Sequence, residues 1–340
     1  MIYLDSAAMS KPLSYALEAY RNAPFGNPSS EHAAGKAARD ALEKARSVIA
    51  ECIDADPSEV YFCSTATEAA AWVIRGLEIG AWRVIPSTIE HHAISENAEK
   101  YNNSPHLAYA RMLCNNEMGE IFDAPTNRGN ALWVCDATAA VGHIHVSFRD
   151  LVADAMIADG IKFGGVPGAA FLVAKKDFPL IPLIRGGGQE RGMRGGTENL
   201  PAICAMAAAL EWQTEHMEEN AVKIGAMRQI FVQSLSKIPD HKWNTPMYKP
   251  CVPHILNISF DGVDGKALGL YLSNQGVMVS TGAACSNGLN EPSHVLMAMY
   301  NDEVRARSAI RISLSHENTT DECVEACEKI KESVAFLRSI

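Results

Sequence analysis

The sequence predicts an α/β fold in which a mainly parallel sheet is flanked by helices, followed by a smaller α+β unit. Short apolar runs of strand length alternate with longer segments of helical periodicity through the first two thirds of the chain. Polar residues directly follow several of these runs, where strand ends are expected. The 340 residues, 47% of them hydrophobic, suffice for one large domain and a smaller companion.

The first elements are a helix, a strand and a second helix. Within 30–54, small and apolar residues recur at helical spacing with charges between them, which predicts an amphipathic helix. The run 60–63 is typical of a short buried strand, and the apolar segment 69–77 of the helix that follows it. Further strands are predicted at 82–86, 107–114, 131–135, 155–158 and 169–173.

A long helical region from Leu200 to about Ile238 closes the first part of the chain. After it, the pattern predicts a strand at 255–260, a helix at 266–274, a strand at 277–280 and a terminal helix from Thr320. We therefore expect a large domain over 12–220 and a small domain built from 1–11 and 221–340.

Composition excludes several classes of function. A formal net charge of -10 argues against general binding to nucleic acid or to anionic membrane, both of which need a basic surface. No apolar run approaches the length of a bilayer span, and the first ten residues do not resemble a secretion signal, so we expect a cytoplasmic protein. Nine scattered cysteines without paired spacing predict neither a disulfide framework nor a metal site.

Three positions after predicted strands suit one cofactor. Ala66 and Thr67 follow the strand at 60–63, where amides at a helix N-terminus and a hydroxyl can bind phosphate. Taken alone, a plain helix cap explains this pair better. Asp136 follows the strand at 131–135, where its carboxylate can pair with a protonated pyridine nitrogen or simply cap the next turn.

The third position is Lys162, which lies between Asp159-Gly160 and Gly164-Gly165. Its amine can form a Schiff base, and the glycines would let the backbone approach a planar ligand, although a lone loop lysine is usually a solvated charge. The order of phosphate turn, aspartate and lysine along successive strands is what a pyridoxal phosphate site needs.

The chain resembles the cysteine desulfurases of the class V aminotransferase group, from Ile2 almost to the C-terminus. The matching motifs are Ile2-Tyr3-Leu4-Asp5, Gly26-Asn27-Pro28-Ser29-Ser30, Ala66-Thr67-Glu68, Glu90-His91, Asn115-Asn116-Glu117, Asp136-Ala137-Thr138, Gly187 to Arg194, Gly196-Thr197, Ala284-Cys285-Ser286, Glu291 to Leu296, and Ser308 to Leu314. The resemblance implies a fold type I pyridoxal phosphate enzyme with a seven-stranded sheet, whose large domain binds the cofactor and whose small domain carries the Cys285 loop.

The resemblance also implies roles for individual residues. Ala66, Thr67, Asp136 and Lys162 would bind the cofactor, and His91 would stack on its ring and move protons. Substrate contacts would come from Asn27, Asn116 and Arg311, with Asn116 also touching the ring and the arginine clamping the carboxylate. Thr197 would reach the cofactor phosphate of a neighbouring subunit, which implies a homodimer.

Cys285 lies among small and polar residues, as suits a thiol that visits the cofactor and then an acceptor. By resemblance, its thiolate would take the sulfur of L-cysteine as a persulfide and release alanine. Without the flanking motif, one inert cysteine among nine would be the simpler interpretation.

Three positions depart from the family pattern, and all three belong to the cofactor pocket. Ala139 stands where a glutamine is usual, Asp159 where a serine is usual, and Ile161 where a histidine is usual. An aspartate beside a phosphate is unfavourable unless it points away or is neutralised, and each lost charged hydrogen bond costs about 1.5–3 kcal/mol. We therefore expect weakened cofactor binding.

Three hypotheses follow. The leading one is an L-cysteine desulfurase that delivers persulfide sulfur to an acceptor protein, for iron–sulfur cluster synthesis, thiolated nucleotides or a similar product. A second keeps the cofactor but acts on selenocysteine or another β-substituted amino acid. A third, motivated by the altered pocket, is a non-catalytic sulfur carrier or scaffold.

Overall fold

A computed structural model describes residues 1–98, 103–281 and 291–340. The strands are β1 (Ile2–Tyr3), β2 (Val60–Cys63), β3 (Trp82–Pro86), β4 (His106–Ala110), β5 (Leu132–Asp136), β6 (Ala155–Asp159), β7 (Ala170–Ala174), β8 (His241–Trp243), β9 (Ile255–Phe260), β10 (Val277–Met278), β11 (Ser280–Thr281) and β12 (Ala309–Ser313). The helices are α1 (Ser14–Asn22), α2 (Ala33–Cys52), α3 (Ala66–Ile79), α4 (His92–Ser95), α5 (Phe148–Leu151), α6 (Leu200–Glu215), α7 (Met217–Leu235), α8 (Gly265–Asn274), α9 (His294–Tyr300), α10 (Glu303–Arg307) and α11 (Thr320–Leu337). No helix of the described residues is both long and apolar enough to cross a membrane.

The chain divides into two compact units. The large unit comprises Ser10–Leu113 and Phe122–Met217. Its sheet has the strand order β2-β7-β6-β5-β4-β3, in which β3 to β6 are parallel and β7 is antiparallel to both of its neighbours. It follows that β2 runs in the same direction as β6. One face of the sheet packs against α3, whose buried side chains include Trp72, Ile74 and Leu77.

The sheet has six strands in the described residues, one fewer than the seven that the resemblance implies. Only residues 87–105 separate β3 from β4, which are themselves direct neighbours in the sheet. An extra parallel strand with its two crossovers needs roughly 25 residues. Residues 99–102 of this connection lie outside the described residues, among which β3 is the edge strand of the sheet.

The small unit comprises Met1–Met9, Cys114–Ile121 and Glu218–Ile340. It contains an antiparallel sheet of order β11-β12-β9-β8 and a parallel pair of β1 with β10. Every residue of β9 and β12 is buried. Their apolar side chains pack with those of α7, α8 and α11 to form this unit's core.

The observed division assigns 114–121 to the small unit, whereas the sequence pattern suggested one continuous large domain over 12–220. The reason lies in the hydrogen bonds of this segment. Glu120 forms a β-bridge with Cys251, and the Glu117 carboxylate accepts a hydrogen bond from the Ser293 hydroxyl at 2.5 Å. The segment therefore packs with elements that come much later in the chain.

Candidate active site

The carboxyl ends of β2, β5 and β6 lie at one edge of the large unit's sheet because these strands run in the same direction. Asp136 is the last residue of β5 and is 9% exposed. Asp159 is the last residue of β6 and is 6% exposed. Ligands of open α/β sheets collect at this edge.

Lys162 ends a 3₁₀ turn, Gly160–Lys162, that directly follows β6. Its main-chain oxygen accepts a hydrogen bond from the Ser10 hydroxyl at 2.6 Å and contacts Nε2 of His143 at 3.0 Å. Since a carbonyl can only accept, Nε2 of that histidine carries the proton. The main chain of Lys162 is thus fixed from two sides, by residues that sequence reasoning missed.

The glycines around Lys162 are required by the packing of the chain itself. Gly164 has a φ of +94°, and an added Cβ would lie 2.7 Å from Leu13 Cγ. Gly165 donates its N–H to the Gly160 oxygen at 2.8 Å, where a Cβ would come within 2.9 Å of the same atom. These contacts close the turn tightly behind the lysine.

The helix start predicted near Ala66 is present, with Thr65 as its N-cap. The Thr65 side chain accepts a hydrogen bond from the Glu68 N–H at 3.1 Å, and Thr67 is exposed. The Ala66 N–H donates to Oδ2 of Asp159 at 2.9 Å, and Oδ1 of the same carboxylate accepts the Ile161 N–H at 3.2 Å. The aspartate therefore points at the helix N-terminus.

Charge interactions indicate that the groups at this edge lie close together. Burial raises the pKa of Asp159, while the amides of Ala66 and Ile161 and the Lys162 ammonium lower it and the Asp136 carboxylate raises it. The two carboxylates and the lysine amine thus lie within electrostatic reach of one another. A ring with a basic nitrogen and an aldehyde suits such a set of groups.

Glu90 is a further group at this edge that sequence reasoning did not single out beyond its motif. It is fully buried, and its Oε1 accepts hydrogen bonds from the Ser87 hydroxyl at 2.6 Å and the Met112 N–H at 3.0 Å. Burial raises its pKa to about 8, with a further contribution from the Asp136 carboxylate. Glu90 is therefore mostly protonated at neutral pH.

His91 caps α4, and its Nδ1 accepts a hydrogen bond from the Ala93 N–H at 3.0 Å. This contact fixes the tautomer, because an Nδ1 that accepts cannot carry a proton. In the neutral ring the proton is held on Nε2. That nitrogen is the one through which His91 can exchange protons.

Two ion pairs support the loop that leads to Thr197. Arg46 and Glu190 form a buried bidentate pair with N–O distances of 2.9 and 2.8 Å, and Glu190 also accepts the Phe62 N–H at 2.8 Å. Arg194 binds the Glu68 carboxylate through two bonds of 2.7 and 3.1 Å. These pairs join the loop that contains Glu190 and Arg194 to β2 and to the first turn of α3.

Thr197 is exposed and lines a cavity of about 170 Å³ in the large unit. The cavity is also lined by Cys63, Glu190 and Arg194. Burial raises the pKa of the Cys63 thiol well above its usual value, so this sulfur stays protonated. Asn27 lies elsewhere in the same unit, in an exposed turn where its Oδ1 accepts the Ser29 N–H at 3.0 Å.

The small unit holds Arg311 on β12, where it is 8% exposed. The alternative of a solvent-facing arginine is therefore wrong. Its Nη2 donates to Asp5 at 2.8 Å and its Nη1 to the Asn116 main-chain oxygen at 2.9 Å. Its Nε is buried and has no hydrogen-bond partner among the described residues. A guanidinium so oriented can still bind a carboxylate.

Glu117 is a further buried acid of the small unit. Burial raises its pKa, and the Ser293 hydroxyl that donates to it also caps α9. Residue 293 follows the segment that contains Cys285, which lies outside the described residues together with the other positions of 282–290.

Comparison with known proteins agrees with the resemblance in the sequence. The family model described as aminotransferase class-V matches residues 2–121 and 105–326. The chain is 30% identical to cysteine desulfurase IscS of Methanosarcina thermophila, with 100% of this chain and 93% of that protein covered. It is 31% identical to an IscS-like cysteine desulfurase of Mycobacterium tuberculosis, with 99% and 97% covered. The chain belongs to the cysteine desulfurase family.

Solved structures agree with this assignment of the cysteine desulfurase fold. A NifS-like protein superposes with a TM-score of 0.89 at 29% identity, covering 98% of this chain and 99% of the other. A NifS-like protein from Rickettsia africae gives 0.88 at 26% identity over the full length of both chains. Enzymes of this family depend on pyridoxal phosphate, and the predicted α/β fold class is confirmed.

Proposed function

We propose that this chain is a pyridoxal phosphate-dependent cysteine desulfurase that converts L-cysteine into L-alanine and holds the sulfur as a persulfide on Cys285. The proposal is carried by the grouping of Lys162, Asp136 and the start of α3 at one edge of the sheet. Relatives of about 30% identity over the full chain are named cysteine desulfurases.

The donor set at this edge fits the ring end of the cofactor. The Asp136 carboxylate would pair with the ring nitrogen, the Lys162 amine would hold the aldehyde carbon, and Thr67 in the first turn of α3 would bind the phosphate. When bound, the cofactor supplies the electron sink that stabilises negative charge on the substrate's α-carbon. The donor set fits less well at the phosphate end, where Asp159 already accepts the Ala66 N–H.

Lys162 and His91 are the groups that hold and move protons in the large unit. The carbonyl contacts from Ser10 and His143 fix the main chain of Lys162, so its long side chain extends from a rigid base. The Ala93 amide fixes the His91 ring, which exchanges protons through Nε2. Rigid attachment of both groups lowers the entropic cost of aligning them with the substrate.

Arg311 would bind the substrate carboxylate, with Asn116 and Asn27 as further substrate contacts. The contacts to Asp5 and Asn116 hold the guanidinium plane in place, and the partnerless Nε supplies a buried donor. An unpaired buried donor is costly, and a carboxylate that accepts its hydrogen bond removes that cost. Selection of an amino acid over a simple thiol would follow from this contact.

The sulfur transfer itself falls to Cys285. Its thiolate attacks the sulfur of the bound cysteine, and a sulfur–sulfur bond forms as the carbon–sulfur bond breaks. The β-carbon keeps the electron pair of the broken bond and gains a proton, which yields alanine. The persulfide then passes its outer sulfur to an acceptor protein.

The proposed assembly is a cytoplasmic homodimer in which Thr197 approaches the partner's cofactor phosphate. Exposed groups in the large unit support this proposal, since Thr197 is exposed and Phe25, beside the Asn27 turn, is 97% exposed. Large apolar side chains so exposed are common at interfaces. The large unit would bind the cofactor and the small unit would carry the sulfur-accepting cysteine.

A second candidate is a sulfur carrier that binds the cofactor poorly, and the contact between Asp159 and the Ala66 amide favours it. A single-turnover assay separates the two. Incubation with cofactor and labelled L-cysteine should yield one alanine per persulfide, with the label on Cys285. Cys285→Ser should abolish the persulfide, whereas Cys204→Ser, a half-buried control thiol, should retain it. Failure to form either alanine or persulfide from L-cysteine, with outer sulfur still accepted by Cys285 from a small-molecule persulfide that leaves as its thiol, would support the carrier.

A further inference from the structure

The Asp159 carboxylate occupies the N-terminus of a 14-residue helix, α3. Oδ2 accepts the Ala66 N–H at 2.9 Å, and Oδ1 accepts the Ile161 N–H at 3.2 Å. The side chain is 6% exposed and joins two segments 93 positions apart. The carboxylate is therefore a buried, hydrogen-bonded group of the folded chain and not a solvated surface charge.

The same position is where an anionic ligand of this sheet edge would bind. Helix N-termini attract phosphate because their first amides lack partners and carry partial positive charge. Here the Ala66 amide donates to Asp159, and the Glu68 amide donates to the Thr65 hydroxyl at 3.1 Å. Two of the first three amides of α3 therefore already donate to the chain's own oxygen atoms.

We infer that Asp159 acts as an internal anion at this helix N-terminus and weakens the chain's preference for the phosphorylated over the unphosphorylated aldehyde cofactor. A phosphate that binds here must displace the carboxylate or lie beside a like charge. An uncharged hydroxymethyl group, as in pyridoxal, meets no such repulsion. The chain therefore discriminates weakly between pyridoxal phosphate and pyridoxal, and residue 159 is a specificity-determining residue.

The charged groups around Asp159 do not remove this repulsion. Lys162 faces it from the 3₁₀ turn and Asp136 from β5, while the nearby Cys63 thiol of β2 is neutral. The one cation among them is the amine that the proposed function assigns to the aldehyde, and Asp136 adds a second negative charge. The inference rests on the proposed function in assuming that Lys162 binds an aldehyde cofactor.

Equilibrium dialysis of the full-length protein against pyridoxal phosphate and against pyridoxal tests the inference. Asp159→Ser and Asp159→Asn should tighten pyridoxal phosphate binding about tenfold or more and change pyridoxal binding less than about threefold. The asparagine keeps the shape and one acceptor, so it preserves the fold if the serine does not. Asp56→Asn is the matched control, because this half-buried aspartate also caps a 3₁₀ turn.

Inorganic phosphate is a second probe, which should compete with pyridoxal phosphate better in the variants than in the original chain. The inference, but not the proposed function, would be overturned if both variants changed the affinities for the two aldehydes equally. It would also be overturned if both variants bound pyridoxal phosphate more weakly than the original chain does. If neither the original chain nor any variant bound pyridoxal phosphate or pyridoxal through Lys162, the proposed function would be overturned as well. The two failures are therefore distinguishable.

Discussion

Replacing Glu90 with glutamine removes an ionisable group from the interior of the large unit while keeping its shape. Glu90 is fully buried, and its pKa is raised from 4.5 to about 8, mainly because burial disfavours the charged form. The glutamine side-chain oxygen can still accept the Ser87 hydroxyl and the Met112 N–H, which bind Oε1 in the original chain. The change therefore tests the effect of the ionisable proton while it keeps the packing of the side chain.

The direction in which the free energy of unfolding changes with pH follows from how tightly the folded and unfolded chains bind the Glu90 proton. Below pH 4.5 both the folded and the unfolded chain hold the Glu90 proton, and the pKa difference has no effect on stability. Between pH 4.5 and about 8 the unfolded chain releases this proton while the folded chain keeps it, so the free energy of unfolding falls as pH rises. A shift of this size corresponds to about 4–5 kcal/mol at most.

The assay is urea unfolding of the cofactor-free protein, followed by tryptophan fluorescence from pH 5 to pH 9. We expect Glu90→Gln to resist urea better than the original chain at pH 9, with a difference that shrinks steadily toward pH 5. Glu96→Gln, an exposed acid at the end of α4, is the control and should follow the original chain. Parallel pH curves for Glu90→Gln and the original chain would show that the Glu90 proton does not affect the free energy of unfolding.

Three further substitutions test an ion pair, the substrate site and a helix cap. Glu190→Gln should lower the free energy of unfolding by about 3–5 kcal/mol in thermal or urea unfolding, because it leaves the Arg46 guanidinium without its buried partner charge; a loss below about 1 kcal/mol would contradict this. Arg311→Lys should lower kcat/KM for L-cysteine roughly 10- to 100-fold, since a lysine cannot make the two-pronged contact; unchanged kinetics would remove the arginine from the substrate site. Thr65→Ala should cost about 1 kcal/mol in urea unfolding through the lost cap on the Glu68 amide, and an unchanged midpoint would show that the cap contributes nothing.

Local patterns predicted most of the elements. Apolar periodicity found the terminal helix at its observed start, Thr320, and the strand Ile255–Phe260 with both of its ends. The long helical region from Leu200 contains two helices, which meet at His216. The sequence did not reveal that break, because residues 211–220 contain no glycine or proline to mark the end of a helix.

The candidate site was only partly predictable. Strand order along the chain was enough to expect Asp136 and Lys162 at one edge, since parallel strands end together. The partners that fix the site come from distant parts of the chain, as with Arg46 and Glu190 or Asp159 and Ala66. No local pattern specifies such pairs, because they depend on the three-dimensional packing of separate elements.

The proposed function requires that an aldehyde cofactor bind covalently to Lys162 beside Asp136. Borohydride reduction of the protein with pyridoxal phosphate, followed by peptide mass spectrometry, tests it most directly. We expect one modified lysine, at position 162, with modification lost in Lys162→Ala and retained in Lys176→Ala, an exposed lysine of the same unit. Modification spread over surface lysines, or none at Lys162, would contradict it.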